Sequence, residues 1–253
     1  METYTVSLGA NEPNLRGFLG LVNVVDIPNS DDPMRKAVYR GESNKDWKCL
    51  PKIDRLEAKQ ILDERKWNRD QYEQWLIQEF KKRARPHLTT VPETEYEWLA
   101  LGQHYGLVTR LLDWSYNPLI ALYFAVADQY VTTDSLVRVY AFNYDVLNPL
   151  GNPYNANSVA LYDPPHVSTR IAAQSSCFTS HPPDGAEWNG ISFDCIIPSE
   201  ARTNLRNELR ILGISAGRLM PGLDGIAEEI NQQSCNIYEL PDWVRRAQAN
   251  RDE

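Results

Sequence analysis

Residues 118–126 read Pro-Leu-Ile-Ala-Leu-Tyr-Phe-Ala-Val, and Asn117 before them supplies an N-cap followed by proline at the first helical position. The pattern predicts a helix. Leu119, Ile120, Leu122, Tyr123, Phe124 and Val126 leave that helix almost no polar face, so any fold this chain adopts must bury it. Elements on either side must therefore cover it, and the rest of the sequence supplies them. Tyr4, Val6 and Leu8 alternate with polar residues, the period of a half-buried strand at a sheet edge. Leu15, Phe18, Leu19 and Val22 have the spacing of one helical face. Ala37 to Gly41 reads as a core strand ended by its glycine, and Leu136 to Phe142 and Ile191 to Ile197 read as further strands.

From Asp54 to Arg85 the chain is charged and helical, with Tyr72, Trp75, Leu76 and Phe80 as the expected buried stripe before Pro86 stops it. Lys81, Lys82, Arg83 and Arg85 close that helix, either because cations suit a helix C-terminus or as a patch for a polyanion. Glu95 to Tyr105 predicts a short helix, and Asn143 to Pro165 a long surface loop. Ser199 is expected to cap a helix carrying Leu205, Leu209 and Leu212 on one face, with Gly213 ending it and a last helix following Pro221. Strands and helices intermingle without regular βαβ repetition, which predicts an α+β fold. At 253 residues and 42% hydrophobic content, one domain over 1–253 is favoured, with 245–253 as a short tail.

The formal charge of -8, from 34 acidic and 26 basic residues, argues against a chain that binds nucleic acid through its overall charge; a local basic groove stays open. Cys49, Cys177, Cys195 and Cys235 form no C-x-x-C pair, and the histidines stand at no zinc spacing, so reduced thiols and no metal are expected. No leader-like or membrane-spanning apolar run is present, and the expected location is the cytoplasm.

Chemistry concentrates in Gln103 to Ser115, read here as a joining segment between two apolar helices. It holds His104, Tyr105, Gly106, Thr109, Arg110, Asp113 and Trp114. Thr109, Arg110 and Asp113 bring hydroxyl, guanidinium and carboxylate groups to the mouth of the buried helix, where backbone N–H groups add anion-binding capacity. The structural alternative is an Arg110–Asp113 ion pair that orients the turn while Trp114 packs.

Four stretches of the sequence resemble the signature blocks of the FRG domain: Tyr39-Arg40-Gly41, Leu99 to Val126, Arg170 to His181 and Leu212 to Ile230, a resemblance running from about residue 15 to 230. Tyr39 stands where the family's name places Phe. That family is in turn similar to the ADP-ribosyltransferase fold, which implies a split mixed or antiparallel sheet with flanking helices and NAD as the substrate. The resemblance implies that Arg40 binds the pyrophosphate, with Tyr39 and Gly41 beside it and Arg110 as a second phosphate contact. Tyr39, Tyr105 or Trp114 would face the nicotinamide, and His104, Thr109 or Gln174 the ribose, with Asn117 opening the buried helix at the same site. Arg170 to Gln174 is the expected third strand, on which Gln174 departs from the usual Glu. A neutral amide can hold a ribose hydroxyl but cannot stabilise an oxocarbenium cation as a carboxylate does; Asp113 or Glu42 would supply that charge. The catalytic set is thus Arg40, His104, Asp113 and Gln174. The implied function is an NAD-dependent ADP-ribosyltransferase, a toxin-like effector of bacterial or phage conflict acting on nucleic acid or protein, with an antitoxin or chaperone as a further partner. The alternative is a non-catalytic module that senses NAD or another nucleotide and signals to a partner protein.

Overall fold

The computed structural model describes residues 4–25, 36–142, 151–165, 169–183 and 193–236. In chain order the elements are β1 (Tyr4–Ser7), α1 (Leu15–Val25), β2 (Lys36–Glu42), α2 (Leu56–Arg65), α3 (Arg69–Ala84), α4 (Glu95–His104), β3 (Leu111–Ser115), α5 (Pro118–Val126) and β4 (Ser135–Phe142). There follow β5 (Ala160–Tyr162), α6 (Thr169–Ala173), β6 (Ser176–Ser180), β7 (Phe193–Ile197), α7 (Arg202–Ile211), α8 (Ala216–Leu219) and α9 (Leu223–Asn236). One seven-stranded sheet in the order β1-β7-β4-β2-β3-β6-β5 carries the helices, and the fold is α+β. β1 runs parallel to β7; every other pairing is antiparallel.

The two sides of β2 are not equivalent. Toward β4 its whole length is paired, from Lys36↔Phe142 to Glu42↔Leu136. Toward β3 it keeps a single register pair, Tyr39↔Ser115. Beyond that pair the strands part, so one ladder pair links the two halves of the sheet, while Val38 and Tyr140 pack with Leu112, Trp114, Leu161 and Cys177 across the junction. Each half has its own apolar layer. Phe18, Val22, Ala121, Leu122, Ala125, Val137, Val139, Cys195, Leu205 and Leu209 bury α5 between α1, α7 and the β2-β4-β7 half. Ile77, Tyr96, Leu99, Leu111, Tyr162 and Phe178 pack α3 and α4 on the β3-β6-β5 half. The predicted apolar helix is thus the centre of the larger layer, capped by Asn117 Oδ1, which accepts from the Leu119 N–H at 2.9 Å.

Several expectations change. β1 does lie at the sheet edge, but all four of its residues are exposed, and the first buried side chain is Leu8. The glycine of β2 does not end the strand, which continues to Glu42. The helical stretch from Asp54 breaks at Lys66, whose φ of 55° is left-handed, and restarts at a capping box between Asn68 and Gln71. On α3 the buried face is Arg69, Tyr72, Glu73 and Ile77, because ion pairs fill part of the space beneath it; Trp75 is exposed and clusters with Trp67 and Tyr72. A 3₁₀ turn over Ser199–Ala201 precedes α7, Ser199 makes no side-chain cap, and Leu212 lies exposed just past the helix end. The expected loop from Asn143 contains the edge strand β5; its residues 143–150, residues 191–192 of the expected last strand, and the tail 245–253 lie outside the described residues. Arg170 to Gln174 is not a strand but α6 and the turn after it, and Ser175 in that turn has a φ of 46°.

Gly41 is where α5 meets the sheet. A Cβ there would stand 1.8 Å from the Ala121 carbonyl oxygen and 2.6 Å from the Ala125 nitrogen, both backbone atoms that cannot rotate away. Overpacking of well-filled sites costs about 1–3 kcal/mol, and backbone contacts put this case at or above the top of that range. Gly41→Ala is therefore expected to lower stability by about 3 kcal/mol or more in denaturant unfolding, and an unchanged midpoint would refute the tight helix-on-strand contact.

Candidate functional site

Where β2 and β3 part, a cavity of about 320 Å³ opens, lined by residues that include Tyr39 to Ser43, Gln103, His104, Asp113 to Ser115, Phe124, Arg170, Gln174 and Ser176. That volume is at the low end of the roughly 300–1,000 Å³ of ligand pockets, the space of about one mononucleotide. Strands that separate leave backbone groups unpaired. Arg40 fills the role of the lost ladder: its Nη1 donates to the Asp113 carbonyl at 2.9 Å and lies 4.0 Å from the Asp113 carboxylate.

The same guanidinium donates from Nε to Glu42 Oε1 at 3.0 Å, and Arg138 Nε donates to Glu42 Oε2 at 2.9 Å. The register explains why Glu42 is needed. Arg40 lies directly opposite Arg138, and Arg138 directly opposite Asp194, so one row across the sheet begins with two facing cations. Like charges in cross-strand register repel. Glu42, on the same face of β2 two residues on, bridges both, while Asp194 takes Arg138 Nη1 at 3.3 Å. Burial disfavours the Arg40 cation, but the Glu42 and Asp113 carboxylates outweigh it and hold its pKa above the ordinary value. Glu42 is thus neither a solvated strand end nor a spare negative charge; it is buried and held between two arginines. Among the described residues Arg40 Nη2 has no partner and is free to meet a ligand.

Asp113 is the exposed carboxylate of the cleft, its side chain 54% accessible. Gln103 Nε2 donates to its Oδ2 at 2.9 Å, and Gln103 Oε1 accepts from the Thr109 hydroxyl at 2.7 Å, which fixes the amide. His104 lines the cleft with its pKa pushed down to about 4, first by burial and then by the charge of Arg170. At neutral pH it is an uncharged imidazole. Gln174 also lines the cleft, but its Nε2 donates to the Leu219 carbonyl at 2.9 Å. Its own carbonyl accepts from the Ser115 hydroxyl at 2.7 Å, which ties the α6 turn to the end of β3.

Four expected site residues lie elsewhere. Arg110 is fully buried away from the cleft, paired with Glu73 and Asp70, donating to the Pro153 carbonyl at 2.7 Å and stacked on Tyr154. It forms no pair with Asp113, because the segment from Leu111 is a strand and not a turn. Thr109 is buried and acts only through Gln103. Tyr105 is 69% exposed beyond the end of α4, and Asn117 caps α5; neither lines the cavity. Tyr39 and Trp114 do line it, yet both are almost wholly buried, and the Trp114 indole donates to Thr179 Oγ1 at 2.8 Å. They form its floor.

Ser43, Trp47, Ala121, Phe124, Arg170 and Ser176 also line the cleft, none of them a site residue expected from the sequence. Arg170 has no ion-pair or hydrogen-bond partner among the described residues and so stands as a second available cation. The basic run near residue 83 is not part of the cleft: Lys81 pairs with Glu95, and Lys82 and Arg83 with Glu79. Cys49, Cys177 and Cys195 are buried without disulfides, and burial pushes the Cys49 thiol up to about 11. Among the described residues no group of side chains is arranged to hold a metal ion, and no helix is long and apolar enough to cross a membrane.

Fold and site together define an α+β protein whose sheet parts over an arginine-bearing cleft. Residues 35–133 match the family model of the FRG domain, a span that supplies β2, β3 and α5 but not the wall formed by Arg170, Gln174 and Ser176. No curated protein and no solved structure matches the chain.

Two predictions test this arrangement. Replacing Glu42 with Gln leaves two buried guanidinium groups facing each other, and breaking such a buried pair costs about 3–5 kcal/mol. Urea unfolding is expected to register that loss, and a variant as stable as the parent would contradict the clamp. His104 titrates near 6.5 when unfolded and at about 4 when folded. Its burial therefore costs nothing above pH 6.5, and it weakens the fold progressively as pH falls from 6.5 to 4 because the unfolded chain takes the proton first. His104→Gln is expected to lose less stability than the parent between pH 7 and pH 4.5; equal losses would show the imidazole to be ordinarily solvated.

Proposed function

We propose that the cleft binds NAD and transfers its ADP-ribosyl group to a macromolecular acceptor. The observation that carries this reading is Arg40, a permanent cation set at the point where the sheet parts, with Nη2 open and the exposed carboxylate of Asp113 beside it. Arg40 and Arg170 are the cations available to phosphate oxygens, and guanidinium groups suit that task by their planar arrays of donors. Cleavage of the bond between ribose C1′ and the nicotinamide nitrogen sends its electron pair to the nicotinamide ring, which leaves neutral. The ribose then carries positive charge until an acceptor nucleophile bonds to C1′ and gives up its proton to solvent. Of the two carboxylates lining the cleft, Glu42 is neutralised by its arginines, so Asp113 is the group that stabilises the developing cation. The neutral His104 imidazole adds no repulsion to it. A toxin-like role follows if the acceptor is an essential nucleic acid or protein.

One observation favours a second reading, a module that senses NAD without consuming it. Gln174 is an amide whose nitrogen is engaged by the Leu219 carbonyl, so the wall opposite Arg40 brings no acid.

The experiment incubates the protein with labelled NAD and cellular RNA, DNA and protein fractions, following nicotinamide release and label transfer together. Asp113→Asn is expected to cut turnover by a factor on the order of 100 while NAD still raises the melting temperature, as loss of one electrostatic stabiliser does. Arg40→Ala should lose NAD binding and relieve any growth arrest that the parent causes when expressed. Full turnover in a folded Asp113→Asn protein would overturn the transferase assignment of Asp113. Protection by NAD without nicotinamide release from the parent would favour the sensing module.

A further inference from the structure

Beside the cleft lies a second cavity of about 350 Å³, lined by Glu42, Trp47, Lys48, Leu50 and Arg55. Glu42 and Trp47 line both cavities, so the two adjoin across the Trp47 indole. Trp47 is 52% exposed, and its ring stacks on no other ring among the described residues. Its backbone is nonetheless held: the carbonyl accepts from Arg138 Nη2 at 2.6 Å and the N–H donates to the Asn44 carbonyl at 3.3 Å. A large flat side chain that leaves half of its surface open between two cavities, on a backbone fixed by a buried arginine, is built as a platform. Arg55 is exposed at the start of α2, without an ion pair or side-chain hydrogen bond among the described residues. Burial and the charge of nearby Arg40 hold its pKa below the ordinary value, so an anion arriving there relieves a repulsion. Exposed Lys48 adds a further positive charge.

We propose that Trp47 and Arg55 form a second subsite that takes the purine nucleotide half of a dinucleotide, the base stacked on the Trp47 indole and a phosphate bound by Arg55. The other half occupies the Arg40–Arg170 cleft, so the inference rests on the reading of that cleft as an NAD site. The sizes agree, since cavities of about 320 and 350 Å³ side by side suit two mononucleotide halves better than one compact ligand. A single-stranded nucleic acid needs a longer track, with stacking rings repeated along a basic groove. This surface has one exposed ring and two cations in a chain of net charge -8.

Calorimetric titration of the full chain with AMP, and separately with nicotinamide mononucleotide, tests the assignment. The link to Arg138 runs through the Trp47 carbonyl, which Trp47→Ala keeps, and an unchanged melting temperature checks that the variant folds. AMP affinity is expected to fall about tenfold or more in Trp47→Ala, the loss typical of removing a base-stacking ring, and to fall in Arg55→Gln. Trp47→Phe should restore most of the AMP affinity, and nicotinamide mononucleotide should bind Arg55→Gln, altered only in the second cavity, as it binds the parent. Equal AMP affinity in parent and Trp47→Ala overturns the subsite. Nicotinamide mononucleotide binding without AMP binding overturns it too, but leaves the NAD reading of the cleft intact; binding of neither overturns both. A short oligothymidylate that binds through Trp47 where AMP does not would assign the platform to an acceptor strand and reject the dinucleotide.

Discussion

Everything in the cleft depends on Glu42 standing between Arg40 and Arg138. Two cations opposite each other on neighbouring strands are a configuration that a sheet resists, and in a buried row the resistance is larger. The carboxylate makes the row stable and sets the direction of both guanidinium groups. Arg40 is turned toward the gap beside β3, and Arg138 toward Asp194 and the Trp47 carbonyl. The loop after β2 is therefore held by the same charges that present Arg40. A guanidinium with an open donor is presented without a cluster of lysines, beside carboxylates that balance its charge, in a chain whose overall charge is negative.

A second ionic network, Arg110 with Glu73 and Asp70 and Arg69 with Asp54, does a different job. It lies beneath α3, outside the cleft, and joins that helix to the start of β3 and to the turn at Pro153. Both networks centre on an arginine next to a central strand. What separates them is completeness: Arg110 has Nε and both terminal nitrogens engaged, whereas Arg40 keeps one terminal nitrogen open. A binding site is distinguished here by the donor left over after the structure has taken its share.

The sequence made the apolar helix, its cap, the strand through Tyr39 to Gly41 and the mixed α+β organisation legible, because each is written in local periodicity or in proline and asparagine chemistry. Arg40, Asp113, His104 and Gln174, grouped on the resemblance, line one cavity. Arg110 lies elsewhere because Leu111 to Ser115 is a strand, whose alternation sends it to the face opposite Asp113, and Thr109 is buried with its hydroxyl taken by Gln103 and the Leu111 N–H. Leu-Leu before Asp113 was the available signal. Arg138, inside the apolar run of β4, carried a comparable one, since a charge within a core strand demands a buried partner. Arg170 and Trp47 could not be singled out, because an unpaired cation and an unstacked ring are properties of what surrounds them.

The single register pair between β2 and β3 has a mechanical side. Each half of the sheet has its own apolar layer, and a third cluster, in which Val38 and Tyr140 meet Leu112, Trp114, Leu161 and Cys177, packs across the junction at Tyr39 and Ser115. No continuous ladder sets the width of the gap. It is spanned instead by the reach of Arg40 to Asp113 and by the Gln174–Leu219 link, which ties the turn before β6 to the apolar layer of the other half. The width of the cleft is therefore set by side-chain reach on one face and by apolar packing on the other, each a sum of separate contacts where a ladder would act as a unit.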